Sequence, residues 1–333
     1  MAYEKALISA ILRDMEREKQ KKTAEIEDRA YVLAQRIPRI GQIDRELRKT
    51  SARAMRIAFT SENTDADISR LRERNQALQE ERKRLMCAAG YPEDYLTVKP
   101  NCPYCKDTGY VAQTLCSCVK QKAAQLQKKE LSSLLPVDKE TFETFRLEYY
   151  SERPDSNLGC SPRDMARLNM QKCIDFAEHF GTNSDNLILC GSSGLGKTFL
   201  SSCIARRVTE RGFSVTYDTA ISVFEQYNTA KFGGDIMRAK QALNRYRNAD
   251  LLIVDDLGTE MPGAFHTSCL YDLLNGRMMR GLPTILSTNL LPNQLESRYS
   301  GAIASRILGG FIQLRFIGED IRKIQKRQRM ETL

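Results

Sequence analysis

The sequence Gly191-Ser-Ser-Gly-Leu-Gly-Lys-Thr198 decides the fold of this chain. It fits the pattern G-x-x-x-x-G-K-[ST] and stands between an apolar run, Asn186–Cys190, and a helical pattern that begins at Lys197. Glycines let the backbone turn its N–H groups toward phosphate oxygens, and the N-terminus of the following helix adds partial positive charge. This strand, loop and helix therefore predict a phosphate-binding loop.

Two side chains of this loop have predicted roles at a bound nucleotide. Lys197 should reach the β and γ phosphates, and the Thr198 hydroxyl should ligate Mg²⁺, which makes ATP and Mg²⁺ the predicted cofactors. The predicted nucleotide contacts cover the loop and one residue beyond it: Gly191, Ser192, Ser193, Gly194, Leu195, Gly196, Lys197, Thr198 and Phe199.

Two acidic residues follow a second apolar run, in Leu251-Leu-Ile-Val-Asp255-Asp256. Asp255 is predicted to bind Mg²⁺, directly or through water, and Asp256 to orient and polarise the attacking water. Aspartate reaches one methylene less far than glutamate, so Glu260 is a second candidate for that role. The alternative is a strand-end turn with two solvated acids.

Asn289 ends the next predicted strand, in Ser287-Thr288-Asn289. An amide at this place can hold the water or a γ-phosphate oxygen between the phosphate loop and Asp255. Asn289 is therefore a predicted catalytic residue.

Helical and apolar strand patterns alternate from residue 165 onward. Strands separated by helices of this length pair in parallel, with helices on both faces. The predicted fold class is α/β, an αβα core with a parallel sheet over residues 184–316. The predicted strands are 186–190, 214–217, 250–255, 284–287 and 311–316, and the predicted helices are 165–180, 197–211, 235–247, 265–280 and 302–308.

Residues 1–90 have an almost wholly helical pattern, with breaks at Pro38 and around Thr60–Asp65. Alternating spacings of three and four form a heptad seam with two polar interruptions. Its members are Ile68, Leu71, Asn75, Leu78, Arg82 and Leu85. The segment predicts a helical hairpin or short coiled coil, which serves as a scaffold or as a docking surface for another protein.

Four cysteines cluster with the spacing C-x2-C-x10-C-x-C: Cys102, Cys105, Cys116 and Cys118. Thiolates at such spacing can complete a tetrahedral Zn²⁺ site. In a large, apparently cytosolic chain, metal binding or simple burial of cysteines is favoured over disulfides. The closing Cys-x-Cys is less usual than Cys-x-x-Cys, which leaves an accidental cluster or a redox pair as alternatives. No ligand position is left open, so the predicted zinc is structural.

The composition places limits on the class of protein. The chain has 333 residues, a net charge of +9 and 28% charged residues, which allows two domains and favours polyanionic partners. Alternatively, the excess lysine and arginine residues only keep long helices solvated and bind no polyanion. No stretch has the roughly 20 apolar residues that a spanning helix needs, and the N-terminus lacks the layout of a signal peptide. We expect the protein to lie in the cytoplasm, where it associates with the nucleoid and not with a membrane.

The phosphate loop, Asp255-Asp256, Ser287–Asn289, Ser305-Arg306 and Gly318-Glu-Asp-Ile-Arg322 occur in the order and spacing of AAA+ ATPases. The chain most resembles the helicase-loader branch, the DnaC/DnaI-type replication proteins and the related IstB transposition helpers. The resemblance covers residues 137–330, and the cysteine-bearing region resembles the zinc-containing N-terminal domain of DnaI-type loaders.

This resemblance implies roles for two arginines. Arg306 would be the arginine finger that reaches the ATP of a neighbouring subunit, and Arg322 would be the sensor-2 arginine that faces its own nucleotide. Self-assembly through the ATPase domain, as a ring or spiral, is implied as well. Only 17 residues follow Phe316, too few for a full helical lid, and helicase loaders are similarly truncated. Each arginine could otherwise pair with a surface carboxylate.

The segment 221–248 combines basic and aromatic side chains, which is a pattern typical of single-stranded DNA binding. Its members are Lys231, Arg238, Lys240, Arg245 and Arg247, with Tyr227, Phe232 and Tyr246 between them. By resemblance, this region is an inserted helix on the inner face of the assembly. The alternative is an ordinary amphipathic surface helix.

The sequence thus predicts three parts: a helical region at 1–95, a zinc-binding module with a connecting helix at 96–136, and an AAA+ ATPase domain at 137–333. The function that the resemblance implies is ATP-dependent loading of a DnaB-type hexameric replicative helicase onto single-stranded DNA, with ATP hydrolysis. One alternative is an IstB-type transposition helper. A second is a nucleotide-dependent adaptor with vestigial hydrolysis, against which the intact Lys197, Thr198, Asp255 and Arg306 argue.

Overall fold

The computed structural model describes residues 5–60, 64–155, 159–181, 183–261 and 263–331. The outer ends of the predicted parts, residues 1–4 and 332–333, lie outside the described residues. The chain divides into two compact units, one formed by residues 12–116 and the other by the described parts of 1–11 and 117–333. The predicted divisions near residues 95 and 136 stay predictions.

The N-terminal region is helical, as predicted. It contains α1 (Lys5–Arg36), α2 (Pro38–Arg48), α3 (Thr50–Thr60) and α4 (Thr64–Ala88). Pro38 is the first residue of α2, a position where its missing N–H costs no helical hydrogen bond.

The polar interruptions of the heptad seam have partners on the neighbouring helices. The Thr50 hydroxyl donates to the Asn75 side-chain oxygen at 3.0 Å. Arg82 forms an ion pair with Asp44 at 2.8 Å. Ile40 and Ile43 of α2 are fully buried, whereas Ile68 at the start of the seam is 43% exposed. Helix α4 therefore packs on α2 and α3 of its own chain through most of this seam.

A short hairpin and a helix follow. Strands β1 (Tyr110–Val111) and β2 (Thr114–Leu115) pair antiparallel, and α5 (Ser117–Leu134) begins directly after them. Two 3₁₀ turns, Phe142–Thr144 and Leu147–Tyr149, then lead to α6 (Pro162–Glu178), which is capped by the Ser161 side chain.

The second unit contains the predicted α/β core. Its strands are β3 (Asn186–Cys190), β4 (Val215–Thr219), β5 (Leu251–Leu257), β6 (Thr284–Thr288) and β7 (Phe311–Arg315). Its further helices are α7 (Lys197–Glu210), α8 (Ala220–Phe232), α9 (Ile236–Asn248), α10 (Ala264–Met278), α11 (Pro292–Arg298), α12 (Gly301–Gly310) and α13 (Ile321–Glu331).

The five strands are parallel and stand in the order β4-β5-β6-β3-β7. Alternate residues point to opposite faces, so Leu187 and Leu189 of β3 join one core while Ile188 and Cys190 join the other. Helices cover both faces, as a parallel sheet requires. This order brings the carboxyl ends of β3, β6 and β5 side by side, where Gly191, Asn289 and Asp255 lie.

Candidate nucleotide-binding site

The phosphate loop has the backbone that its glycines predict. Gly191, Gly194 and Gly196 all have positive φ, at 149°, 77° and 85°. A Cβ at Gly191 would lie 2.3 Å from the Phe316 carbonyl oxygen, and one at Gly194 would lie 2.0 Å from the Asp320 carboxylate. Only glycine fits at these two places, because other residues would be strained as well as crowded.

Lys197 lies at the centre of the loop and is buried. Its ammonium donates to the carbonyls of Gly191 at 2.7 Å and Ser192 at 2.8 Å, and to the Asn289 side-chain oxygen at 2.8 Å. Burial lowers the pKa of Lys197, while the charges of Asp256 and Asp255 raise it in part. The three acceptors suit an ammonium ion, which would exchange some of them for phosphate oxygens.

Asp255 is buried and accepts several hydrogen bonds. The hydroxyls of Thr198 and Tyr217 donate to its Oδ2, each at 2.9 Å, and the Ser287 hydroxyl donates to its Oδ1. Thr198 and Asp255 thus place two oxygen ligands beside each other, the donor type that Mg²⁺ prefers. The residues present fit the predicted magnesium site.

Asp256 extends from the same strand end but remains exposed. Its backbone is in the left-handed region, with φ of 53°, and its N–H donates to the Ser287 hydroxyl at 3.0 Å. Partial burial raises the pKa of its carboxyl, and the neighbouring Asp255 charge adds to this. Asp256 lines the nucleotide cleft together with Lys197 and Thr198.

Glu260, the second candidate for orienting water, has other partners. Its carboxylate accepts from the Gly258 N–H at 2.8 Å and from the Tyr299 hydroxyl. It is 5% exposed and is not among the described residues that line the cleft. The geometry therefore favours Asp256 over Glu260.

The cleft beside the loop has a volume of about 510 Å³, and residues between 140 and 149 form one of its walls. Its lining residues are Glu140, Thr144, Phe145, Arg146, Tyr149, Ser193, Gly194, Gly196, Lys197, Thr198, Phe199, Asp256, Ile321, Arg322 and Gln325. The rings of Phe145 and Phe199 lie 5.5 Å apart. The Tyr150 hydroxyl donates to the Leu195 carbonyl of the loop at 2.9 Å. The row of aromatic residues at 142–150 was the available signal for this wall.

Arg322 lines the same cleft as Lys197. Its guanidinium donates to the Ser193 hydroxyl at 3.1 Å, and its backbone N–H donates to the Asp320 carboxylate at 2.9 Å. The Ile321 N–H donates to the Gly194 carbonyl at 3.0 Å, which fixes the start of α13 on the loop. Arg322 therefore faces the predicted position of the phosphates in its own chain.

Arg306 is placed differently. Its guanidinium lies over the Tyr271 ring, 4.3 Å from the centroid, and donates to the Tyr271 hydroxyl at 2.7 Å and to Asn275 at 3.2 Å. It is not among the described residues that line the cleft. No pattern in the sequence indicates that Tyr271 and Asn275 orient this arginine.

The four clustered cysteines come together at the β1–β2 hairpin. All four sulfurs lie within 4.8 Å of one another, and those of Cys102 and Cys116 are 3.7 Å apart. A tetrahedral zinc with Zn–S bonds of about 2.3 Å requires S–S separations of about 3.8 Å. The buried Asp107 carboxylate also accepts the N–H of Cys102 at 2.9 Å and that of Asn101 at 2.8 Å, which fixes the first turn. The cluster fits a structural zinc ion.

We expect the purified, reduced protein to contain about one zinc ion per chain, measured by elemental analysis. Structural sites of this type contribute about 10–16 kcal/mol of binding free energy, so Cys105→Ser should lose the metal and unfold the hairpin locally. ATP binding should be largely retained. Cys87→Ser, which changes an exposed cysteine outside the cluster, is the matched control. A wild-type protein without metal would contradict the site.

The basic segment folds as α8 and α9, and only part of it is available to a ligand. Tyr227 and Tyr246 are 8% and 2% exposed and belong to the core, so the expectation that they stack on bases is wrong. The Tyr246 hydroxyl instead donates to the Asp218 carboxylate at 2.5 Å. Phe232 is 72% exposed and is the aromatic residue of this segment that a base can reach.

Comparison with known proteins identifies the family. The sequence profile of the family described as "IstB-like ATP binding protein" matches residues 159–328, more than half of the chain. The chain belongs to this family. The IstB-like region includes the phosphate loop, Asp255, Asn289, Arg306 and Arg322.

Two kinds of relatives resemble this IstB-like protein. The replicative helicase loader DnaI of Bacillus subtilis is 28% identical over 41% of the chain and 44% of its own length, and the replicative helicase loader DnaC of Escherichia coli is 26% identical over 36% and 49%. A protein described as ATP-binding in an insertion sequence of Mycobacterium tuberculosis is 27% identical over 50% and 60%. The chain spans about half the length of these relatives.

Solved structures of replication proteins are similar as well. A crystal structure of the DnaC helicase loader has 19% identity and a TM-score of 0.43, covering 54% of this chain and 97% of that one. A crystal structure of DnaI has 21% identity and a TM-score of 0.42, covering 52% and 95%. Within the described ranges, no helix of this IstB-like protein combines the length and the apolar character that crossing a membrane requires.

Proposed function

We propose that this protein is an ATP-dependent loader of a DnaB-type hexameric replicative helicase onto single-stranded DNA. The observation that carries the proposal is the cleft lined by Lys197, Thr198 and Asp256. Thr198 is hydrogen-bonded to Asp255, and Lys197 to Asn289. Helicase loaders of two bacteria are among the relatives of this chain. The protein acts in the cytoplasm, at the nucleoid.

In this proposal the site hydrolyses ATP. Lys197 binds the β and γ phosphates, and Thr198 and Asp255 hold Mg²⁺, which supplies neutralising charge at the phosphates. Asp256 orients the attacking water, since its carboxylate lies at the cleft beside Lys197. The Asn289 amide holds the attacking water or a γ-phosphate oxygen. Arg322 binds the nucleotide of its own chain.

Assembly completes the site. Arg306 comes from a neighbouring copy of the chain in a ring or spiral, because in its own chain it lies on Tyr271 and outside the cleft. The helical region at 1–95 and the zinc-binding module dock the helicase. ATP binding favours the assembled form, and slow hydrolysis releases the loader.

The surface proposed to bind single-stranded DNA lies at the end of α8 and the start of α10 and is defined by Lys231, Phe232 and Phe265. The Lys231 ammonium lies 5.0 Å from the centroid of the Phe232 ring and 4.4 Å from that of Phe265. An ammonium beside an exposed ring can bind a phosphate while the ring stacks on a base.

Phe232→Ala is expected to weaken ATP-dependent binding of a single-stranded oligonucleotide by about 1–3 kcal/mol, because one base loses its stacking partner. Fluorescence anisotropy at several salt concentrations measures this, and affinity should fall steeply with salt as counterions are released. Leu168→Ala, which removes an exposed apolar side chain on α6, is the control. Unchanged affinity in Phe232→Ala would remove this surface from the proposal.

The second candidate is a transposition helper that acts on duplex DNA with a transposase. The match to the IstB-like profile and the insertion-sequence relative favour it. The cysteine cluster favours the loader, since remodelling of target DNA does not require such a module. Equal affinity for duplex and single-stranded DNA of the same length would support the transposition helper.

A further inference from the structure

Glu140 is a half-buried acid at the wall of the nucleotide cleft. Its backbone N–H donates to the Pro136 carbonyl at 2.9 Å, and the Thr144 hydroxyl donates to the preceding Lys139 carbonyl at 3.0 Å. The Thr141 side chain caps the adjoining 3₁₀ turn. The position of this residue is therefore fixed by its own segment.

The Glu140 carboxyl is only weakly paired within the chain. Its Oε2 is buried and has no hydrogen-bond partner among the described residues. Burial raises the pKa of this carboxyl, and the nearby Ser202 hydroxyl lowers it only in part. An acceptor without a donor costs free energy, and Glu140 lines the cleft, so a bound ligand that offers a donor to its carboxylate would bind favourably.

The surroundings of Glu140 indicate which part of a nucleotide it meets. Lys197 and Thr198 mark the phosphate end of the cleft, whereas Phe145, Tyr149 and Phe199 line its aromatic part. Aromatic side chains suit the faces of a base. Adenine carries an N–H donor at C6, where guanine and hypoxanthine carry a carbonyl oxygen.

We infer that the Glu140 carboxylate accepts a hydrogen bond from the exocyclic amine of adenine and so selects ATP over nucleotides with a carbonyl at C6. This inference rests on the proposed binding of ATP in this cleft. A C6 carbonyl would place two acceptors against each other, which a buried site penalises strongly.

The test is displacement of a fluorescent ATP analogue by ATP and by ITP, which differ at C6. Wild-type protein should prefer ATP by about 10- to 100-fold, the value of one charge-assisted hydrogen bond. Glu140→Ala should reduce this preference to less than about threefold. Glu140→Gln should bind ITP better than wild type does, because its amide can donate to the C6 carbonyl. Glu143→Gln, an exposed acid of the same turn, should keep the wild-type ratio.

The outcomes separate this inference from the proposed function. A wild-type protein that binds neither nucleotide would overturn both. Wild-type protein that binds ATP and ITP equally, or a full ATP preference in folded Glu140→Ala and Glu140→Gln, would overturn the role of Glu140 and leave ATP binding intact. Thermal melting of each variant shows whether it is folded.

Discussion

Lys197→Ala is expected to abolish ATP binding, with Kd raised by about 10²–10⁴-fold. The ammonium supplies charge-assisted hydrogen bonds to two phosphate groups, each of about 1.5–3 kcal/mol. It also joins the loop carbonyls of Gly191 and Ser192 to Asn289. Isothermal titration with ATP and Mg²⁺ measures the effect.

Two variants make this result interpretable. Lys172→Ala removes an exposed lysine on α6 that does not line the cleft, and it should bind ATP as wild type does. Asp256→Asn should bind ATP but hydrolyse it slowly, since only the water-orienting carboxylate is lost. If Glu260→Gln is slow and Asp256→Asn is not, the roles of these two acids are reversed. Normal ATP binding in Lys197→Ala would place the nucleotide elsewhere.

Arg306→Ala is expected to bind ATP nearly normally and to hydrolyse it about 10³–10⁵-fold more slowly, a loss of roughly 4–7 kcal/mol of transition-state stabilisation. The guanidinium of a neighbouring copy would neutralise charge on the transferring phosphoryl group. Its contact with Tyr271 holds it away from the cleft of its own chain. Steady-state ATPase assays measure the loss.

Mixing two inactive variants shows whether Arg306 acts on the ATP of a neighbouring subunit or on that of its own chain. Inactive Arg306→Ala protein is combined with inactive Asp255→Ala protein. An interface that joins an intact Asp255 site to an intact neighbouring Arg306 should recover part of the activity. Absence of recovery at every ratio, in proteins that co-assemble by light scattering, would mean that Arg306 acts in its own chain or only in folding.

The nucleotide-binding half of the fold was largely predictable because its signals are local. The phosphate loop requires a preceding strand and a following helix, and β3 and α7 lie at those places. Strand ends that meet at one edge of a parallel sheet then bring Asp255 and Asn289 to Lys197. The predicted helix at 165–180 begins three residues earlier in the structure, because Ser161 caps it and Pro162 fits its first turn.

Long-range contacts were not predictable from these patterns. Tyr217 donates to Asp255 across 38 positions, and Tyr150 donates to Leu195 across 45. Arg277 is fully buried and donates to the carbonyls of Tyr246, Ala249 and Pro283. Burial lowers the pKa of its guanidinium to about 9. A sequence shows that an arginine is present but not which carbonyls enclose it.

The aromatic residues of the basic segment illustrate the same limit. Their spacing in the sequence does not show which of Tyr246 and Phe232 can stack on a base. In the structure, Tyr246 on α9 is buried in the core, whereas Phe232 is exposed. The polar residues of the heptad seam likewise interrupt its apolar pattern in the sequence. In the structure, Asn75 and Arg82 have polar partners on α3 and α2, so they contribute to packing within the chain.

The most direct test of the central claim is helicase loading onto a closed circle of single-stranded DNA. The full-length protein is incubated with ATP, Mg²⁺ and a DnaB-type helicase from the same cells, and DNA-bound helicase is quantified after gel filtration. The proposal predicts helicase on the circle with wild-type protein and ATP, and none with Lys197→Ala. Helicase that stays off the circle at every ratio, while the same protein binds a transposase on duplex DNA, would contradict it.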